Sequence, residues 1–137
     1  MRVVSRLSLV LAVALSVGGC DLLGVDIGEA IPAEEQRHPD VLAVELRPTG
    51  ERTYDVVVTV SSPYDTPERY ADGWRVLDPD GAVLGTHTLM HDHASEQPFT
   101  RTQRGLTIPA GVTSVTVEGR DRLHGFGGAT ITADVPG

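Results

Sequence analysis

The segment Thr53-Tyr54-Asp55-Val56-Val57-Val58-Thr59-Val60-Ser61 alternates with a period of two. Tyr54, Val56, Val58 and Val60 share one side, while Thr53, Asp55 and Thr59 mostly face water. Successive side chains of a strand point to opposite faces, so this is a half-buried β-strand. Upstream, Asp40 to Arg47 repeats the pattern with Leu42, Val44 and Leu46 on one face, and Pro48-Thr49-Gly50 ends it. Downstream, Ser61-Ser62-Pro63-Tyr64-Asp65-Thr66-Pro67 interrupts it, because each proline lacks an N–H and biases its predecessor toward extended backbone. Glu68 to Ala71 reads as a single helical turn.

Gly73 to Leu77 then places Trp74 and Val76 inward. Asp78-Pro79-Asp80-Gly81 is a turn, with proline favoured at its second position, and Ala82 to Leu89 is the returning arm of a hairpin. Phe99 to Ile108, Val112 to Gly119 and Ala129 to Val135 supply three further strands, joined by Pro109-Ala110-Gly111 and Gly125-Phe126-Gly127-Gly128. Seven short strands and no helix-length amphipathic segment predict an all-β fold. In size and rhythm the stretch 40–137 resembles a single immunoglobulin-like or fibronectin type III-like β-sandwich. Trp74 lies in the third strand, where immunoglobulin domains carry a buried tryptophan. The inter-sheet disulfide of that family is absent, since the chain has one cysteine, and so is a tyrosine in the sixth strand. Without a cross-link the core must hold itself. Burying Trp74 alone is worth on the order of 4–6 kcal/mol before entropy is subtracted.

The one cysteine, Cys20, closes a stretch with Arg2 and Arg6, an apolar run from Leu7 to Val17, and two glycines. This pattern is that of a secretory signal, and the run is shorter than the roughly 20 apolar residues needed to span a bilayer. Val17-Gly18-Gly19-Cys20 resembles the lipobox of bacterial lipoproteins. The resemblance implies cleavage before Cys20, a thioether-linked diacylglycerol and a fatty acyl chain such as palmitate on the new amine. Stable attachment takes at least two acyl chains, which this arrangement supplies. Three regions follow: a signal peptide over 1–19, a lipidated Cys20 with a flexible tether over 20–39, and the sandwich over 40–137. The tether from Asp21 to Pro39 carries five acids and would span about 25 Å as a coil. Leu22, Leu23, Val25 and Ile27 could alternatively lie along the bilayer. Asp21 resembles an inner-membrane retention signal. The expected location is therefore the extracytoplasmic face of the inner membrane in a Gram-negative cell, or the cell surface in a Gram-positive one.

The formal charge is −8, and removal of residues 1–19 leaves 9 arginines against 19 acids. Such a surface repels nucleic acid and excludes it as a partner. The chain contains neither lysine nor asparagine, which a GC-rich genome explains without any selection for anion binding.

Chemistry-bearing residues concentrate in His87-Thr88-Leu89-Met90-His91-Asp92-His93-Ala94-Ser95-Glu96. On an extended chain His91 and His93 point to one face about 6.6 Å apart, with His87 at the same parity. Imidazole suits zinc or copper, and methionine sulfur suits Cu(I). His87, Met90, His91 and His93 thus form a candidate half-site, completed only if His38, His124 or Glu96 converges on it. The plainer reading puts Met90 in the core and the histidines in a solvated loop. Asp78-x-Asp80-Gly81 lacks the downstream acid of a calcium loop and reads as a plain turn. His124-Gly125-Phe126-Gly127-Gly128 reads as a hairpin tip, and Glu118, Arg120, Asp121 and Arg122 as a solvated charge ladder. Tyr64, Tyr70 and Phe126 are the aromatics least explained by strand burial, and they are candidate binding residues because sandwich loops cluster at the ends where partners dock. No catalytic motif is present. The expectation is a non-enzymatic, lipid-anchored domain binding a protein or envelope component; the alternative is a copper- or zinc-binding protein.

Overall fold

The structure, a computed structural model, describes residues 36–137. The signal segment, Cys20 and most of the tether lie outside these residues. Seven strands form: β1 (Asp40–Gly50), β2 (Thr53–Ser61), β3 (Ala71–Leu77), β4 (Val83–Thr88), β5 (Phe99–Thr107), β6 (Ser114–Asp121) and β7 (Gly125–Asp134). They make two antiparallel sheets, one ordered β1-β2-β5 and the other β4-β3-β6-β7. The expected sandwich is therefore present. Its fourth strand pairs with the third rather than joining the first sheet, as the fourth strand of a constant-type immunoglobulin domain would.

β2 buries Tyr54, Val56, Val58 and Val60, the face its alternation marks. Against it, β1 pairs Val41 with Val60 and Ala43 with Thr59, leaving Leu42 as an extra residue. That bulge reverses the facing of side chains upstream of it. Val41 turns into the core and Leu42, expected inside, is 49% exposed; Leu46 remains inside as expected. Two other expectations need correction. Thr66 and Arg69 exchange backbone hydrogen bonds in both directions, so the segment after Pro67 is a tight loop, not a helical turn. Gly125 to Gly128 lie within β7 rather than in a connecting loop, because Arg120 pairs with Phe126 and Gly119 with Gly127.

The glycines there have a packing role. A Cβ on Gly119 would approach Pro39 Cγ to 2.7 Å, and one on Gly127 would come equally close to the His38 ring. Gly128, at φ +83°, leaves no room for a Cβ beside the Pro39 carbonyl. His38 and Pro39, read as the end of the tether, are thereby seated across β6 and β7, and Pro39 is fully buried. The His38 Nδ1–H donates to the Gly125 carbonyl at 3.1 Å.

Trp74 sits at the centre of the core with 1% of its surface exposed. Its indole N–H donates to Gln103 Oε1 at 2.9 Å, and Gln103 Nε2 donates to the Thr86 carbonyl at 3.2 Å. One buried amide on β5 thus joins the two sheets through β3 and β4, with no unpaired polar atom of its own left facing apolar surroundings. Replacing Trp74 by Ala is expected to cost about 3–5 kcal/mol, enough to unfold a domain of ordinary stability near 37 °C. Trp74→Phe, which keeps the ring but strands the Gln103 carbonyl, is expected to cost about 1–3 kcal/mol. Urea unfolding of the three proteins measures both; a Trp74→Ala melt within a few degrees of wild type contradicts the first figure.

Candidate functional site

The register gathers three connections at one end of the sandwich. Asp40 pairs with Ser61, Val60 with Phe99, Gly73 with Thr88 and Ala71 with Asp121. The 62–70 loop, the 89–98 loop and the 122–124 turn therefore share a pole. It is also the pole at which the chain enters the domain through His38 and Pro39.

Two buried carboxylates shape this pole. Asp65, 5% exposed, accepts the Ala71 N–H at 3.1 Å and the His93 N–H at 3.0 Å, so it ties the 62–70 loop to the 89–98 loop. Gln97 reinforces the tie: its Oε1 accepts the Ser62 N–H at 2.7 Å, and its Nε2 donates to the His93 carbonyl at 3.0 Å. Asp121 is fully buried at the end of β6, where it accepts the N–H groups of Leu123 and His124 and pairs with Arg69 Nε at 3.2 Å. Burial pushes its carboxyl upward. The Tyr64 hydroxyl, the two backbone donors and Arg69 outweigh that and hold it below the ordinary carboxylate range. Burial first, and then the interaction with the Asp121 carboxylate, raise the Tyr64 phenol strongly. With the Arg69 guanidinium 4.0 Å above its ring, Tyr64 serves to organise loops. Sequence reasoning gave it a binding role, passed over Asp65 and read Asp121 as part of a solvated charge ladder, whereas Asp121 is fully buried; in sequence an aspartate looks the same whether it is solvated or buried.

The histidines separate into three places. His87, opposite Trp74 in the β3–β4 ladder, stacks on that indole at 4.5 Å between ring centres. His93 is buried and stacks on Phe99 at 4.0 Å, with the His91 ring 4.8 Å from it. Its Nδ1 is enclosed without a hydrogen-bond partner. His38 and His124 stand edge to face 6.3 Å apart at the chain entry. Met90 is 79% exposed, so it does not fill the core. Of the four proposed ligands only His91 and His93 come together, and among the described residues no three His, Cys, Asp or Glu side chains are grouped to hold a metal ion.

Phe126 lies on the outer face of the four-stranded sheet, opposite Arg120 and one residue into the strand that follows the 122–124 turn. The Arg75 guanidinium covers its ring at 4.0 Å and Arg120 stands 5.8 Å away. Both arginines are paired, Arg75 with Glu118 at 2.7 Å and Arg120 with Asp72, as the ladder reading of this strand expects. Beside them is a cleft of about 220 Å³ bordered by Asp72, Thr86, Thr88, Arg120 and Phe126. The Asp78 carboxylate accepts the N–H groups of Asp80 and Ala82, so that segment is a self-capped turn. Tyr70 bridges two loops: its hydroxyl donates to the Met90 carbonyl at 3.4 Å and its own carbonyl accepts the Arg122 N–H at 2.9 Å. Leu123, which no sequence pattern singled out, is 70% exposed at the tip of the 122–124 turn.

No protein family profile matches the chain, and no solved structure does. The chain is similar to a protein of Halomicrobium mukohataei described as "Putative lipoprotein", with 38% identity over 98 residues. The match takes in 72% of this chain and 48% of the relative, so the chain spans about half the length of the protein it resembles.

Burial lowers the pKa of His87, and burial together with the charges of Arg101 and His91 lowers that of His93. A ring whose folded pKa is depressed stabilises the fold above its unfolded value, about 6.5, and that contribution is lost as pH falls. Thermal stability is therefore expected to decline from about pH 6.5 downward, before the Asp121 carboxylate begins to protonate. The His87→Phe/His93→Phe double variant should flatten the slope between about pH 5 and 7; a slope equal to wild type in thermal melts would show that these rings do not carry it.

Proposed function

We propose that this protein is an exported lipoprotein: a non-enzymatic β-sandwich held at the cell envelope by lipid on Cys20, and presenting its surface to a protein or envelope component. The observation that carries this reading is Val17-Gly18-Gly19-Cys20 after a charged and apolar leader. The description of the Halomicrobium mukohataei relative supports it. The fold is compatible with it as well. The sandwich needs no disulfide, so the one cysteine is available for lipid. The chain leaves the sandwich from a pole, where a tether does not obstruct either sheet.

The pairing of the domain's charged side chains argues for recognition rather than catalysis. Asp121 and Asp65 are consumed by loop architecture, His93 by a stack, and Arg75 and Arg120 by carboxylates. The outer face of the four-stranded sheet, with its cleft of about 220 Å³ at the pole end of β3, β4, β6 and β7, offers a concave surface to meet a partner. Tyr70 bridges the loops of the same pole.

Cys20→Ala is expected to leave an unprocessed precursor that incorporates no fatty acid and partitions into the aqueous phase of a detergent extraction. Metabolic labelling with a palmitate analogue reads this directly. Label that persists in the variant overturns the anchor assignment.

A further inference from the structure

We propose that the pole from which the chain leaves the domain rests on the bilayer surface, with Met90 and Leu123 entering the acyl boundary of a zwitterionic lipid leaflet. The proposal rests on the lipid-anchor reading above and deepens it, since it gives the domain an orientation as well as a location.

Four large apolar side chains are strongly exposed among the described residues: Leu42, Val83, Met90 and Leu123. The two most exposed, Met90 at 79% and Leu123 at 70%, stand on different loops of the same pole. Tyr70 joins them, through its hydroxyl to Met90 and through its carbonyl to the residue before Leu123. The Arg122 guanidinium lies 5.5 Å from the Tyr70 ring. Apolar tips backed by an aromatic ring and a cation match the layering of a lipid interface, where tyrosine and arginine sit at headgroup level with their apolar portions buried. The tips are also held firmly. Asp121 fixes the turn bearing Leu123 and Asp65 fixes the loop bearing Met90, so little ordering remains to oppose insertion.

The place where the chain exits selects the occupant. His38 is bonded to Gly125 and its ring is 6.3 Å from that of His124, the residue next to Leu123. From there back to Cys20 the sequence has 17 residues, Asp21 to Arg37, and a flexible linker of that length would reach about 25 Å. A lipid on Cys20 thus keeps this pole at a surface concentration on the order of millimolar, at which a weak contact is occupied. The pole exposes Glu68, Glu96 paired with Arg101, and Arg122, a mixed and nearly balanced set of charges, and the domain is acidic overall, so the surface that fits is zwitterionic and not anionic. More distant acids are screened beyond about 10 Å at ordinary salt.

The test uses the full lipidated chain in phosphatidylcholine vesicles. Since Cys20 carries the lipid thioether, a second cysteine is the one free thiol. Met90→Cys, Leu123→Cys and Asp80→Cys, the last in the turn at the opposite pole, are labelled with an environment-sensitive fluorophore. Labels at 90 and 123 should be quenched by nitroxide lipids and shielded from iodide, while the label at 80 shows the reverse. Adding Leu123→Asp to the Met90→Cys protein should lower its nitroxide quenching at least two-fold. Iodide access at 90 and 123 equal to that at 80, in protein whose lipid is verified by mass, overturns the docking and leaves the anchor standing. Shielding from iodide without nitroxide quenching would mean that protein covers the tips, and also overturns it. A mass without lipid overturns the anchor reading itself.

Discussion

Trp74 and Gln103 hold the sandwich together where other domains of this shape use a covalent bond. The indole fills the space between the sheets, and its N–H is directed at a glutamine that has also taken a backbone carbonyl of β4. A polar pair at such a depth is stabilising only if every donor and acceptor is met, and here the partners come from three strands of two sheets. The arrangement therefore fixes relative position as well as adding stability. An apolar core would tolerate sliding of one sheet against the other by a fraction of a residue; an amide bridged in this manner does not. Gly85 fits the same constraint, because a Cβ there would collide with Leu106 and Gln103.

The pole of loops obeys a similar economy. Loop backbone cannot satisfy its own N–H groups as strands do, and Asp65 and Asp121 supply acceptors where three chain segments meet. Removing them from water is tolerable because each accepts two backbone hydrogen bonds, and Asp121 is also paired with Arg69. The exposed apolar tips are carried on a rigid base for that reason, and their exposure is not a sign of a slack loop.

The sandwich and the buried face of β2 were legible in the sequence because period-two alternation is a direct image of strand geometry, and Trp74 was legible because one large indole in a small domain has few places to go. The bulge at Leu42 was not, since an extra residue leaves no trace in hydrophobic pattern when Val41 and Leu42 are both apolar. Gly125 to Gly128 carried a loop composition although they form strand, because the absent side chains of Gly127 and Gly128 make room for His38 and Pro39, a contact across more than 80 positions of sequence. Three of the candidate site residues shifted meaning for one shared physical reason. His87, His93 and Phe126 each found a ring or guanidinium to stack on, and stacking partners separated in sequence are invisible to local pattern. The choice between core and solvent for Met90 was similarly beyond reach, as both states suit a flexible thioether.

The seating of Pro39 between β6 and β7 has a mechanical consequence. β1 begins at Asp40 and runs away from the pole, so a pull transmitted from outside the domain through this end acts along the strand. The hydrogen bonds of the β1–β2 ladder lie across that direction, and they bear the pull together, from Asp40 opposite Ser61 to Gly50 opposite Thr53, instead of opening one after another. The three glycines beneath His38 and Pro39 add a friction point ahead of the ladder. A domain entered in this way resists unfolding when drag or shear reaches it through its N-terminal end.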